Sequence, residues 1–193
     1  TEDMLRDLDL LVIDLQDVGA RIYTYIYTLA NCLIAARRHG IDVIVCDRPN
    51  PIGGEAVEGP MLQKGFESFV GLFPIPMRYG MTIGELARLF NDRFALDAKL
   101  EVVKMQNWSR GLYGDQTGLP WTNPSTNMRT LTAATLYPGV GLLESAVSVG
   151  RGTDTPFEVL GAPWCHGLQL AQRLREAKLP GVTFVPVEFT PTA

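Results

Sequence analysis

"HGIDVIVCDRPNPIGG", residues 39–54, places a helix end, a strand and a turn-rich loop in immediate succession. His39-Gly40 reads as a helix terminus, because glycine adopts the left-handed conformation that closes a helix at little cost. Residues 41–47, IDVIVCD, are an apolar, β-branched run bounded by acids, the pattern of a buried strand. Upstream, DLLVID at 9–14 has the same character. Between the two, Ile22, Ile26, Leu29, Cys32, Leu33 and Ala36 recur at helical spacing and predict a helix over 20–39. Strand, helix and strand of these lengths make a βαβ unit, whose crossover requires a parallel sheet. Both strands are expected to be buried on both faces.

Further along, Thr82-Ile83-Gly84-Glu85 is a capping box that opens a helix running to about Phe94. LEVVKM at 100–105 is the third expected strand, and 106–128 reads as loop. A short helix is predicted over 130–137, stopping before Pro138-Gly139. Residues 167–178 suggest an amphipathic helix with Leu168, Leu170, Leu174 and Ala177 inward. GVTFVPVEF at 181–189 suggests a last strand, with Pro186 marking an edge or a bulge. The fold class is α/β with a largely parallel sheet.

The chain has 193 residues, 46% hydrophobic and 20% charged, with a formal net charge of −4. It has no lysine- or arginine-rich run, which argues against nucleic-acid binding by phosphate neutralisation. No apolar stretch approaches the ~18 residues that a membrane span needs. It opens TEDMLRDLDLL, without a basic leader or an initiator Met, and reads as part of a longer protein. Cys32, Cys46 and Cys165 lack metal or redox spacing and are expected to be free thiols.

In open parallel sheets, ligands bind beyond the carboxyl ends of the strands. Two polar, turn-rich segments lie there: DLQDVGAR at 14–21 and DRPNPIGGEAVEGP at 47–60. The first turn carries only Gly19, so no GxGxxG fingerprint is present, and no phosphate loop or GxSxG elbow follows. His39 sits at a helix end and His166 is isolated, so neither a metal site nor a cofactor is expected. What remains is carboxylates at strand ends and in loops: Asp14, Asp17, Asp47, Glu55, Glu58, Asp115, Glu144, Asp154 and Glu158. Carboxylates beside arginines, amides and aromatic faces such as Tyr23, Tyr25, Trp108 and Trp121 suit glycoside hydrolysis. The same residue types also serve as turn formers and core packing.

Specific motifs narrow the choice. DLQDVGARIYTY (14–25), DRPNPIGG (47–54), VEGP (57–60), SFVG (68–71), PIPMRYGMTIGELA (74–87), PSTNM (124–128) and SVGRGTDTPFEVLGAPW (148–164) occur in this order. Together they closely resemble the exo-β-N-acetylmuramidase family, over about residues 8 to 190. The resemblance implies hydrolases that remove N-acetylmuramic acid from the non-reducing ends of peptidoglycan fragments in the periplasm or outside the cell. It also implies a Rossmann-like domain, here 1–150, and the start of a smaller C-terminal α/β domain at 151–193, with the active site in the cleft between them. No nucleotide is implied. The family's upstream Ser-Pro-Glu-His-Gly motif, a source of a catalytic glutamate, is absent from these residues, so the chain by itself is expected to be inactive. Tyr79 stands where the family usually has His, and Thr126 where it usually has Pro.

Glu58 is the leading catalytic candidate, held between Val57 and Gly59-Pro60; a solvated loop glutamate is the alternative. Asp17 is the second, with helix capping as its other role. Candidate substrate contacts are Gln16, Arg21, Tyr25, Arg48, Asn50, Asn127, Arg151 and Glu158. Arg21 and Arg48 could instead pair with Asp14 and Asp47. Gly150 and Gly152 flank Arg151 and would admit a ligand to the backbone, while Glu158 could be the arginine's partner. The rival function is a non-catalytic cell-wall-sugar binding module.

Overall fold

The structure, a computed structural model, describes residues 2–192. The chain forms two compact units, one ending at Pro124 and the other beginning at Ser125. That division lies upstream of the boundary at 150 that the resemblance suggests.

The first unit is an α/β layer. A short helix α1 (Glu2–Leu5) precedes strand β1 (Leu10–Ile13), helix α2 (Tyr25–His39), strand β2 (Asp42–Cys46), helix α3 (Ile83–Arg93) and strand β3 (Leu100–Val103). The strands form a parallel sheet in the order β1-β2-β3, with Leu10 opposite Asp42 and Val43 opposite Leu100. Both crossovers step the same way across the sheet, and right-handed connections then put both helices on one face. Accordingly Ile13, Val43 and Val45 are buried in one cluster with Ile26, Leu29 and Leu33 of α2 and Ile83, Leu86 and Phe90 of α3.

The expected burial of both strand faces is therefore corrected. On the other face Leu10, Val12 and Val103 are 44%, 56% and 49% exposed. The predicted helix from residue 20 is also shortened, since α2 begins at Tyr25. The backbone of Ala20 and Arg21 is diverted to pair with the segment 77–78, Arg21 N donating to Met77 O at 2.8 Å. By contrast the capping box on α3 forms as the sequence implies, Thr82 and Glu85 each bonding the other's backbone.

The second unit contains helix α4 (Leu131–Val140), helix α5 (Gly167–Glu176) and an antiparallel bridge between Ser148 and Gly161. Helix α4 continues through Pro138, which lies in its last turn and removes one backbone donor there. On α5 the inward residues are Ala171, buried, with Leu170 and Leu174 half-buried, whereas Leu168 and Ala177 are exposed. The expected strand at 181–189 does not form: among the described residues nothing pairs with it as a strand, so the segment runs as unladdered backbone. Cys32, Cys46 and Cys165 are all unbridged.

Candidate functional site

The loops that follow β1 and β2 interlock beyond the carboxyl ends of the strands, and a third segment, 74–80, holds them together. Its residue Arg78 forms backbone bridges to both Ala20 and Glu58. Asn50 folds the second loop: its Oδ1 accepts from Ile52 N at 3.1 Å and its Nδ2 donates to Met81 O at 3.0 Å. Gly19 has φ +84°, and any side chain there would run into Asn50 Oδ1 and come within 2.6 Å of Ile52 Cγ1. The glycine of the first turn thus serves the close approach of the second loop, not of a nucleotide.

Most of the polar candidates in this unit are committed to that architecture. Gln16 Nε2 donates to Asp17 O at 2.7 Å and to Pro49 O at 3.1 Å. Arg21 is buried and donates to Pro60 O and Ile75 O at 2.6 and 2.8 Å. Its guanidinium therefore serves backbone carbonyls, and the expected carboxylate pairing of Arg21 is corrected. Tyr25 Oη donates to Pro124 O.

Arg48 pairs through both oxygens with Asp14, which holds the Asp14 carboxyl below its ordinary range. Asp47 does not engage Arg48; it caps α3, accepting from Gly84 N at 2.8 Å and from Thr82 Oγ1 at 3.0 Å. The residue that ends the apolar strand is thus the anchor of the next helix.

Asp17 is enclosed, 6% exposed, and does not cap α2, whose N-cap is Thr24. Its Oδ2 accepts from Gly19 N at 2.8 Å and from Tyr79 Oη, while Oδ1 finds no partner among the described residues. Burial pushes this carboxyl up to about 7, against the lowering effect of the Gly19 and Val18 amides. Tyr79, where histidine was expected, is the donor that meets it.

Glu58 stands apart. Its side chain is 64% exposed, and Arg78 Nη1 donates to Oε2 at 2.7 Å. Backbone bonds of 2.9 Å run both ways between the same two residues. Arg78, only 17% exposed, also donates to Ile52 O and to Tyr113 Oη, the latter at 3.0 Å. Sequence reasoning quoted Arg78 within a motif but assigned it nothing, and it had no signal for Tyr113, which lies in an irregular loop.

In the second unit, Arg151 pairs with Glu144, not Glu158, its Nη2 lying 3.2 Å from Glu144 Oε2, and its guanidinium lies 4.9 Å from the Phe157 ring centre. The Glu144 carboxylate raises the Arg151 pKa. Glu158 instead accepts from Thr130 Oγ1 at the start of α4. Asn127 is half-buried in a turn. The room expected beside Gly152 is filled: the backbone of Thr192 crosses there, donating to Gly152 O at 3.0 Å.

A wide groove of about 940 Å³ lies in this unit between α5 and residues 186–191, lined by Leu168, Pro186, Val187 and Phe189. That groove holds none of the candidates, and of them the clefts of about 240 and 280 Å³ include only Trp108, in both, and Asp47, in the second. An accessible carboxylate, more than a deep cavity, marks the candidate site. Among the described residues no group of three or more His, Cys, Asp or Glu side chains could hold a metal, and no helix is long and apolar enough to cross a membrane.

Family models for the N-terminal and C-terminal parts of the exo-beta-N-acetylmuramidase NamZ match residues 1–132 and 135–193. A curated relative, the peptidoglycan beta-N-acetylmuramidase NamZ of Bacillus subtilis (strain 168), is 52% identical over all of this chain and 47% of its own length. Two solved structures of DUF1343 family proteins from Bacteroides fragilis NCTC 9343 are similar. One has a TM-score of 0.92 at 42% identity, covering 99% of this chain and 51% of that one. The other has a TM-score of 0.76 at 35% identity, covering 86% and 47%. The chain spans about half the length of the relatives it matches.

Proposed function

The chain belongs to the exo-beta-N-acetylmuramidase NamZ family, and from that premise we propose that its protein releases N-acetylmuramic acid from the non-reducing ends of peptidoglycan fragments. The work would be done outside the cytoplasm, where such fragments arise. The observation that carries the reading is the presentation of Glu58: an acid fixed at the sheet's carboxyl edge, exposed, with Oε1 free of partners among the described residues.

In this reading Glu58 is the carboxylate that meets the sugar at the scissile bond. Hydrolysis of a glycoside needs one carboxyl group to work on each side of that bond, as acid, base or nucleophile. Asp17, enclosed by Gly19 and Tyr79, supports the loop from beneath instead of touching substrate. Gln16, Arg21 and Asn50 shape the wall through their bonds to backbone. Arg48 is a half-exposed cation at the same edge, available to the lactyl carboxylate if Asp14 shares it. Tyr25 would contribute an aromatic face.

The test is Glu58→Gln in the full-length protein, assayed for release of N-acetylmuramic acid. The amide keeps the shape and removes ionisation, so turnover should fall by about two to four orders of magnitude, the usual scale of a general acid/base contribution. Near-normal turnover in a folded variant would return Glu58 to an ordinary loop residue. Wild-type protein that binds muramic saccharides without cleaving them would mark a binding module instead.

A further inference from the structure

We propose that Arg78 is the positioning residue for the Glu58 carboxylate, an inference that rests on the catalytic reading of Glu58 above. A glutamate whose side chain is 64% exposed has three rotatable bonds and no packing to choose among its rotamers. Something else must aim it.

Arg78 is built for that task. Its backbone is tied to that of Glu58 by bonds of 2.9 Å in each direction, so the two side chains leave adjacent points of one ribbon. Its guanidinium is mostly enclosed, and Nη2 is held by Ile52 O and by Tyr113 Oη. Only Nη1 reaches out, to Oε2 of Glu58 at 2.7 Å. Three acceptors in three directions need the rigid fork of an arginine; lysine offers one mobile point charge.

Two other candidate arginines, Arg48 and Arg151, form a different kind of pair. Arg48 and Arg151 each engage both oxygens of their acids, Asp14 and Glu144, and so occupy those carboxylates fully. Arg78 grips one oxygen and leaves Oε1 open. An ion pair this exposed adds little to stability, so its value lies in direction. Tyr113 takes the next place outward, fixing the arginine that fixes the acid.

The experiment measures kcat and KM of the full-length enzyme on a chromogenic N-acetylmuramic acid glycoside. Arg78→Lys should lower kcat by about ten- to a hundredfold, the scale of a misplaced reacting group, with KM changed less than about threefold. Tyr113→Phe, a milder change, should lower kcat by about threefold and leave the unfolding midpoint in place. Both losses should shrink to less than about twofold when the acid is already shortened by Glu58→Asp, because residues acting through one group are not additive. An undiminished loss in the Glu58→Asp background would overturn the proposal, as would wild-type kcat in Arg78→Lys. If Arg78→Lys does not fold, Tyr113→Phe decides alone, and a normal kcat there is equally fatal. Glu58→Gln separates the two levels. Full activity in that variant overturns the catalytic reading and this inference with it. A large loss there with additive arginine effects overturns only the inference.

Discussion

The polar candidates of the first unit bond mostly to backbone, whereas Arg151 and Glu158 of the second bond to side chains at the surface. Arg21, Gln16, Asn50 and Asp17 meet carbonyls and amides of neighbouring loops, and Arg21, Asn50 and Asp17 are buried. Arg151 meets Glu144, and Glu158 meets Thr130, in exposed or half-exposed settings. The difference teaches where rigidity comes from. A buried polar bond that loses one partner leaves the other desolvated and unsatisfied, whereas a surface pair falls back on water.

Gly19→Ala should break the first unit most severely. The substitution forces a side chain into the left-handed region and against Asn50 and Ile52, both buried. Backbone strain and overpacking together should cost about 3–5 kcal/mol, read as a lowered denaturant midpoint at unchanged slope. A loss below about 1 kcal/mol would mean that the two loops can part without consequence.

Asp17→Asn sharpens the comparison through pH. The folded-state pKa of Asp17 is raised to about 7 from 3.8, so the native protein keeps its proton where the unfolded chain has lost it. Stability should therefore fall as pH rises through that window, and the full cost of the buried charge is present above it. The asparagine variant should lack this slope and gain about 4 kcal/mol relative to wild type between pH 4 and pH 8. Parallel stability curves for the two proteins would show that Asp17 ionises freely.

The smallest effect belongs to the second unit. Glu144→Gln removes the charge opposite Arg151, whose side chain is 46% exposed. Stability should change by less than about 1 kcal/mol, and the change should shrink further in high salt. A loss as large as that of Gly19→Ala would erase the contrast between the units.

The motif that quotes Arg78 was visible in the sequence, yet its role was not. Arginine in an irregular loop reads as solvated, and nothing in PIPMRYG indicates that residue 78 will lie against residues 20, 52, 58 and 113. The pairing of Arg151 was misassigned for a related reason. Glu158 and Glu144 both lie seven positions from it in sequence, and only the folded turns decide which one faces it. The same holds for residues 181–189. Their pattern has β-propensity, but a strand exists only when a neighbour supplies the ladder.

What the sequence determined by itself is everything that depends on local chemistry and period. The β-branched runs, the helical spacing before His39-Gly40 and the Thr82–Glu85 capping box encode a parallel βαβ layer without reference to distant residues. Its ordered motifs also identified the family. Only the tertiary structure decided which face of the sheet is covered, which acid each arginine meets, and why Asp47 ends the strand. Those outcomes depend on contacts between residues tens of positions apart, such as Asp47 with Gly84 and Arg78 with Glu58. Such contacts arise only when the loops fold together, because burial makes each polar group seek the partner that folding brings near.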